Sequence, residues 1–125
     1  MGSGGIMKKV NIKDKFQLFD VYWTPKILGE VNNSHVKIFK AKGEFVWHSH
    51  KDEDEFFLVI KGQLNIKMRD REIHLKEGEF CIVPKGVEHL PYANEEAHVL
   101  LFEPKAVVNT GDATSEKTVE DPEWI

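Results

Sequence analysis

Between residues 16 and 103 the apolar residues fall in short runs broken by glycine and proline, and few windows repeat at the helical period. Phe16 to Trp23 is aromatic and β-prone. Val36 to Ala41 and Phe45 to His50 alternate roughly at period two. Phe56 to Ile60 is a continuous apolar run of strand length, suited to burial on both faces. Gln63 to Met68 and Arg71 to Leu75 flank Arg69-Asp70 and predict a hairpin. Phe80 to Val83 and His98 to Phe102 complete the series. Many short strands punctuated by Gly43, Gly62, Gly78 and Gly86 predict an all-β sandwich or barrel.

The pattern changes after Pro104. Residues 105–125 are polar, with a turn at Asn109 to Asp112. Thr114 to Glu120 reads either as a short helix capped by Ser115 or Thr118, or as a loosely packed tail. At the other end, Met1 to Ile6 reads as an expression scar ahead of Met7. The expected organisation is a single domain over 7–104, with an N-terminal strand segment, and a polar tail over 105–125.

Composition narrows the function. The 125 residues suit one domain, and 41% hydrophobic with 30% charged residues is an ordinary globular balance. A net charge of −4 gives no basic footprint for nucleic acid. No apolar run approaches the roughly 18 residues that span a membrane. The lone Cys81 forms no intrachain disulfide, which points to a reducing, cytoplasmic setting.

The candidate chemistry lies in histidines. His48 and His50 are two apart on a strand-like segment, which puts both imidazoles on one face, roughly 6 to 7 Å apart. Glu55 follows the charged stretch Lys51 to Asp54, and an adjacent antiparallel strand would return it to that face. His89 follows the Pro84-Lys85-Gly86 turn. Taken singly, each is an ordinary feature: a strand His pair, a solvated acidic loop, a loop histidine.

The spacing joins them. Gly43, His48-Ser49-His50, Glu55 and Gly62, then Gly78, Pro84-Lys85-Gly86 and His89, resemble the two motifs of the cupin superfamily. The fifteen residues from Gln63 to Glu77 match the short inter-motif hairpin of small bacterial cupins. Two departures stand out: Gly43 lies four residues before His48 rather than five, and the second motif's Asn falls at Ala93. The resemblance implies a double-stranded β-helix, the RmlC-like jelly-roll barrel. It also implies one divalent transition metal ion on His48, His50, Glu55 and His89, with the six-residue spacing to Gly62 choosing Glu55 over Asp54. Three imidazoles and a carboxylate suit Fe, Mn, Ni, Co, Zn or Cu. An octahedral ion so held keeps two positions for other ligands, as a catalytic site requires.

Other residues carry weaker signals. His98 would approach the metal if its face of the strand is interior, and Tyr92 is a second candidate acid or base. Cys81 reads as a buried, inert thiol. Similar cupins include dioxygenases, isomerases and epimerases, some labelled mannose-6-phosphate isomerase-like. The expected function is therefore a metalloenzyme acting on a small polar molecule, of dioxygenase or isomerase type. A metal-dependent binding or sensor module without turnover is the alternative. The aromatic segment Phe16 to Trp23 suggests a homodimer, since small cupins commonly pack or exchange N-terminal strands.

Overall fold

A computed structural model describes residues 6–125; the stretch read as an expression scar lies outside the described residues except for Ile6. The chain forms α1 (Ile12–Phe16), β1 (Lys26–Val31), β2 (Ser34–Glu44), β3 (Glu55–Lys61), β4 (Leu64–Lys67), β5 (Glu72–Leu75), β6 (Phe80–Val83), β7 (Leu90–Pro104) and β8 (Glu123–Trp124). The all-β jelly roll expected from the motif spacing is present. β7 organises it. Its first part pairs with β4, its later part with β3, and β2 runs antiparallel along most of its length. β4 carries β5, β3 carries β6, and β2 carries β1 and then β8. Register shifts at Ala41/Gly43 and Val59/Lys61 bend these strands, so that the one sheet curls round a core.

Alternation then sorts the side chains. Phe39 and Ala41 of β2, Phe57 and Val59 of β3, and Val99 and Leu101 of β7 face inward with Trp23, Phe45, Leu64 and Ile66. Phe56 to Ile60 is therefore not buried on both faces. Phe57 and Val59 are buried, while Phe56, Leu58 and Ile60 are half-buried on the outer surface.

Three further expectations need correction. Phe16 to Trp23 is not a strand. Asn11 caps α1 by accepting from the Asp14 N–H at 3.0 Å, and the chain then runs irregularly, touching the sheet at a Tyr22–Lys40 bridge. Phe16 is buried over the outer face of β2 and β7, with its ring 4.3 Å from that of His98. Phe45 to His50 is not a regular strand either; it makes only an isolated bridge, His48 with His89. Thr114 to Glu120 forms turns and no helix, and the segment packs back on the barrel, ending in β8 parallel to β1. β1 was not legible in the apolar pattern.

Gly62 shows how tightly β3 turns into β4. Its φ is +82°, and a Cβ there would lie 2.9 Å from the Glu96 carbonyl oxygen and 3.2 Å from the Ala97 Cα. Neither backbone atom can move cheaply, and φ itself is unfavourable for an L side chain. Gly62→Ala is expected to lower the free energy of unfolding by about 1–3 kcal/mol. A urea titration of the two proteins measures it, and equal midpoints would contradict the assigned turn.

Candidate metal centre

The four predicted donors come from three places in the chain and meet inside the barrel. His48 and His50 lie on the irregular segment before β3, Glu55 opens β3, and His89 immediately precedes β7. Reciprocal backbone bonds join His48 to His89, at 3.0 and 2.9 Å. The His50 carbonyl accepts from Gly86 N–H at 2.8 Å, and the Asp54 carboxylate accepts from Lys85 N–H at 3.0 Å. Asp54 is thus spent on fixing the Pro84-Lys85-Gly86 turn, while Glu55 points inward with Phe57 and Val59.

All four residues are buried; His89 has no exposure at all. One donor atom from each lies within 4.8 Å of all the others. The Nε2 atoms of His48, His50 and His89 stand 4.0, 3.2 and 3.0 Å from Glu55 Oε1. Donors bound at about 2.1 Å around one ion are separated by roughly 3 to 4 Å, so the set has the right span.

The ring hydrogen bonds decide which nitrogen is free. His48 Nδ1 is 2.9 Å from the Val46 carbonyl, and His89 Nδ1 is 2.9 Å from that of Val87. A carbonyl only accepts, so each Nδ1 carries a proton, and in the neutral form of the ring the bare lone pair turns inward at Nε2. His48 and His50 Nε2 have no hydrogen-bond partner despite burial. For His89, a neutral Nε2 lone pair facing a carboxylate oxygen at 3.0 Å is repulsive unless a cation or proton lies between them. These orphaned atoms fit a metal ion, and fixed Nδ1–H groups are the usual support of metal-binding imidazoles.

Electrostatics agrees. Burial, then the neighbouring His89, pushes His48 down to about 4, so its ring is neutral at pH 7. Burial alone would raise Glu55, but the His50 and His89 rings beside it hold it below the usual carboxylate range. His50 is raised, its burial outweighed by Glu55.

Next to His48 and Glu55 is a narrow cavity of about 20 Å³, walled by Trp23, Phe39, Phe45, Phe57 and Leu101, with Asn109 at its edge. The other sequence candidates are not brought there. His98 alternates with the inward Ala97 and Val99, so it faces outward, stacks on Phe16 and hydrogen-bonds to Glu96 at 2.8 Å. Tyr92 also faces out and donates to Glu72. Cys81 is held up to about 11 by burial and the Glu55 charge, which makes it a poor nucleophile.

Residues overlooked in the sequence lie beside the donors. Lys37 and Glu103, each 2% exposed, form an ion pair of 3.1 Å inside the barrel. Phe56 faces Phe102 and Phe57 faces Leu101, so the next cross-strand neighbours are Glu55 and Glu103. Burial and then the Glu55 charge raise Glu103 to about 7, and its Oε2 has no partner. The signal was available: Lys37 continues the inward phase of Phe39 and Ala41, and Glu103 that of Val99 and Leu101.

Residues 35–108 match the cupin domain family. The chain belongs to the cupins. A cupin-2 domain protein from Shewanella frigidimarina is 47% identical, with a TM-score of 0.76 over 77% of this chain and 94% of that one. The uncharacterized protein YdbB of Bacillus subtilis is 40% identical over 63 residues, 50% of this cupin and 56% of YdbB. This cupin thus spans little more than half of that curated relative. The hydroquinone 1,2-dioxygenase of Sphingomonas sp. TTNP3, solved with 4-nitrophenol, shares the fold at 20% identity, with a TM-score of 0.69 over 78% of this chain and 32% of that one.

The His48 shift fixes a pH dependence for the metal-free protein. Folded, the ring stays neutral down to about pH 4; unfolded, it takes up a proton near 6.5. At this residue the unfolded chain binds more protons in that window, so the His48 contribution to stability falls as the pH drops through it. The loss is at most about 3 kcal/mol. Glu103, raised to about 7, and the raised His50 act in the opposite sense over this window, so the test is a difference: between pH 7 and 4.5 the parent should lose more stability to urea, or gain less, than His48→Gln. An equal change in the two proteins would remove His48 as a source.

Proposed function

We propose that this cupin holds one divalent transition metal ion on His48, His50, Glu55 and His89, and uses it on a compact molecule with an apolar body and a metal-binding oxygen. The observation that carries the reading is the buried donor set, with Nε2 lone pairs lacking partners, opening on an aromatic-walled cavity. The ion would supply Lewis acidity and, if redox-active, electrons for O₂ chemistry. The protein supplies orientation and a dry wall.

The lining favours dioxygenase-type over isomerase-type chemistry. Among the residues lining the cavity only His48 and Glu55 titrate, and both belong to the donor set. Asn109 is committed elsewhere: its amide donates to the Lys117 carbonyl and accepts from Val119 N–H, both at 2.8 Å. Lys37 and Glu103 pair with each other through Glu103 Oε1, and neither lines the cavity. A proton-shuttling isomerase needs a free acid or base near the substrate, whereas oxygen transfer needs mainly the ion and its open positions. No phosphate clamp is available either. Arg69 stacks on Trp47 at 3.7 Å and pairs with Glu88, outside the cavity. The hydroquinone dioxygenase with its bound phenol supports an aromatic ligand by likeness of fold. Binding without turnover is the second reading, favoured by the same shortage of free acid–base groups. The single free thiol suits a cytoplasmic setting, and no helix among the described residues is long and apolar enough to cross a membrane.

Elemental analysis of the purified protein is expected to find about one transition metal per chain, and His50→Ala to lose most of it. Equal metal in both would remove the site. The Fe(II)-loaded protein, offered catechols, diketones and thiols, should then consume O₂ with one class. Tight ligand binding without uptake would favour the binding module.

We infer further that two copies pair through the outer face of β6, β3 and β7. Phe80, Ile82 and Phe102 are 58%, 54% and 41% exposed, and the register sets them against half-buried Phe56, Leu58 and Leu100 in one apolar patch. Strand spacing makes the patch about 15 Å across, a fit centre for the about 800 Å² each partner gives to a stable dimer. Copies of net charge −4 repel at a distance, and a charge-free patch is where they approach most easily. Of the N-terminal aromatics, Phe16 and Trp23 are buried against their own barrel, while Tyr22 is 38% exposed. Light scattering should give twice 14.4 kDa, falling to the monomer mass in Phe80→Ser/Ile82→Ser. A monomeric parent would reject the pairing.

A further inference from the structure

The residue between the two donor histidines is held by a distant part of the chain. Ser49 N–H donates to Asp112 Oδ1 at 2.8 Å, its hydroxyl donates to Asp112 Oδ2 at 3.2 Å, and its carbonyl accepts from Asp112 N–H at 3.0 Å. Every polar group of Ser49 is thus engaged by one residue. Gly111 brings the strap this close. A Cβ at that position would lie 2.2 Å from the Ser49 oxygen and 3.2 Å from His48 Cδ2, and φ there is +55°. Only glycine allows the strap to lie flat on the His48-Ser49-His50 backbone.

The strap is itself well anchored. Val107 is buried beneath it, and Thr110, fully buried, hydrogen-bonds to the Ala113 carbonyl at 3.0 Å and to the Thr118 hydroxyl at 2.8 Å. Asn109 ties it to Lys117 and Val119. Residues 105–125 are therefore a brace, fastened at both ends by bonds that no local pattern advertises. Gly111 and Asp112 also lie beyond residues 35–108, the part that matches the cupin family.

The need for a brace follows from the fold. His48 and His50 lie outside any regular strand. On one side the His48–His89 bridge and the Gly86 bond hold them. On the other there is no strand, and Asp112 takes its place with a three-bond imitation of a sheet edge. Donor atoms must be held within about half an ångström for tight, selective binding, and that precision comes from supporting contacts.

We propose that Asp112 and Gly111 are positioning residues of the metal centre, fixing the His48-Ser49-His50 segment so that both Nε2 atoms converge on one ion. This rests on the metal-binding reading above. The neighbours bear it out: the Asp112 carboxylate is held below its usual range chiefly by the Ser49 backbone N–H, as expected of a carboxylate committed to that bond.

The test is Co(II) titration of the metal-stripped full chain, read as a dissociation constant and as a visible absorption spectrum. Asp112→Ala should weaken Co(II) binding by about 10- to 100-fold and alter the spectrum. Asp112→Asn, which keeps an acceptor for Ser49 N–H, should stay within about threefold of the parent. Gly111→Ala should behave like Asp112→Ala, because the strap must lift off His48. Amide exchange in the metal-free protein gives a second readout that does not depend on the ion. The Ser49 N–H should exchange at least about tenfold faster in Asp112→Ala, with the His89 N–H unchanged. Parental affinity and spectrum in Asp112→Ala, whatever its thermal midpoint, would make the strap a mere anchor for the tail and overturn the proposal. A parent that takes up no Co(II) would instead bring down the metal reading, and the proposal with it.

Discussion

A carboxylate buried inside a β-barrel is the constraint on which the rest of the structure turns. Glu55 is 4% exposed, and three imidazole nitrogens crowd one of its oxygens. An isolated buried anion costs several kcal/mol unless a positive charge accompanies it. The rings of His48 and His89 cannot supply it in their neutral form, because their only protons are committed at Nδ1 to backbone carbonyls. A proton taken up by His50 can neutralise the group, but it leaves lone pairs pointing at one another. One cation satisfies all of them together. The bridge between His48 and His89, the Asp54 cap on the Lys85 turn and the strap over Ser49 make sense as the framework that holds this arrangement still.

The parts of the fold legible in the sequence are those set by local punctuation. β6 was readable to the residue, because Gly78 and Pro84 bracket Phe80 to Val83. The β4–β5 hairpin was equally plain, with Arg69-Asp70 between two apolar stretches. The four clustered side chains were legible for another reason: their glycine and Pro-x-Gly spacing resembles the cupin motifs. Elements shaped by distant partners were not. Phe16 looks like a strand residue, but it serves as a lid on the outer face of β2 and β7. β1 contains Gly29 at a register shift and alternates poorly, and it exists because β2 offers it an edge. The tail has no periodicity at all, since Asn109, Thr110 and Asp112 hold it through side-chain bonds to residues up to 63 positions away. His98 failed as a candidate on the phase of one strand: had β7 been out by one residue, it would have faced the donors.

The interior separates two tasks. On one side of the cavity stand the donors, and on the other aromatic rings with no hydrogen-bonding demand of their own. A ligand entering here gains little from polar recognition except through the ion. On the proposed metal-binding reading, selectivity would come from shape and from which oxygen reaches the ion, and this weighs against sugar phosphates, whose hydroxyls would lose water without finding partners.

Charge carries the argument one step further. With neutral imidazoles, the buried interior holds Glu55, Glu103 and Lys37, a net charge of −1 when both carboxyls are ionised. Glu103, raised to about 7, shows the strain of setting two carboxylates across from each other on β3 and β7. Lys37 relieves only one of them. A divalent ion on the donor set turns the net charge to +1, stabilises Glu103 as a carboxylate, and tightens its pair with Lys37. The loaded interior then lacks one negative charge. A neutral ligand leaves that imbalance in place, whereas a phenolate, enolate or carboxylate oxygen removes it. Under the metal-binding proposal, the fixed charges of the barrel would favour anionic ligands. That preference follows from a Lys–Glu pair that contributes no donor to the ion.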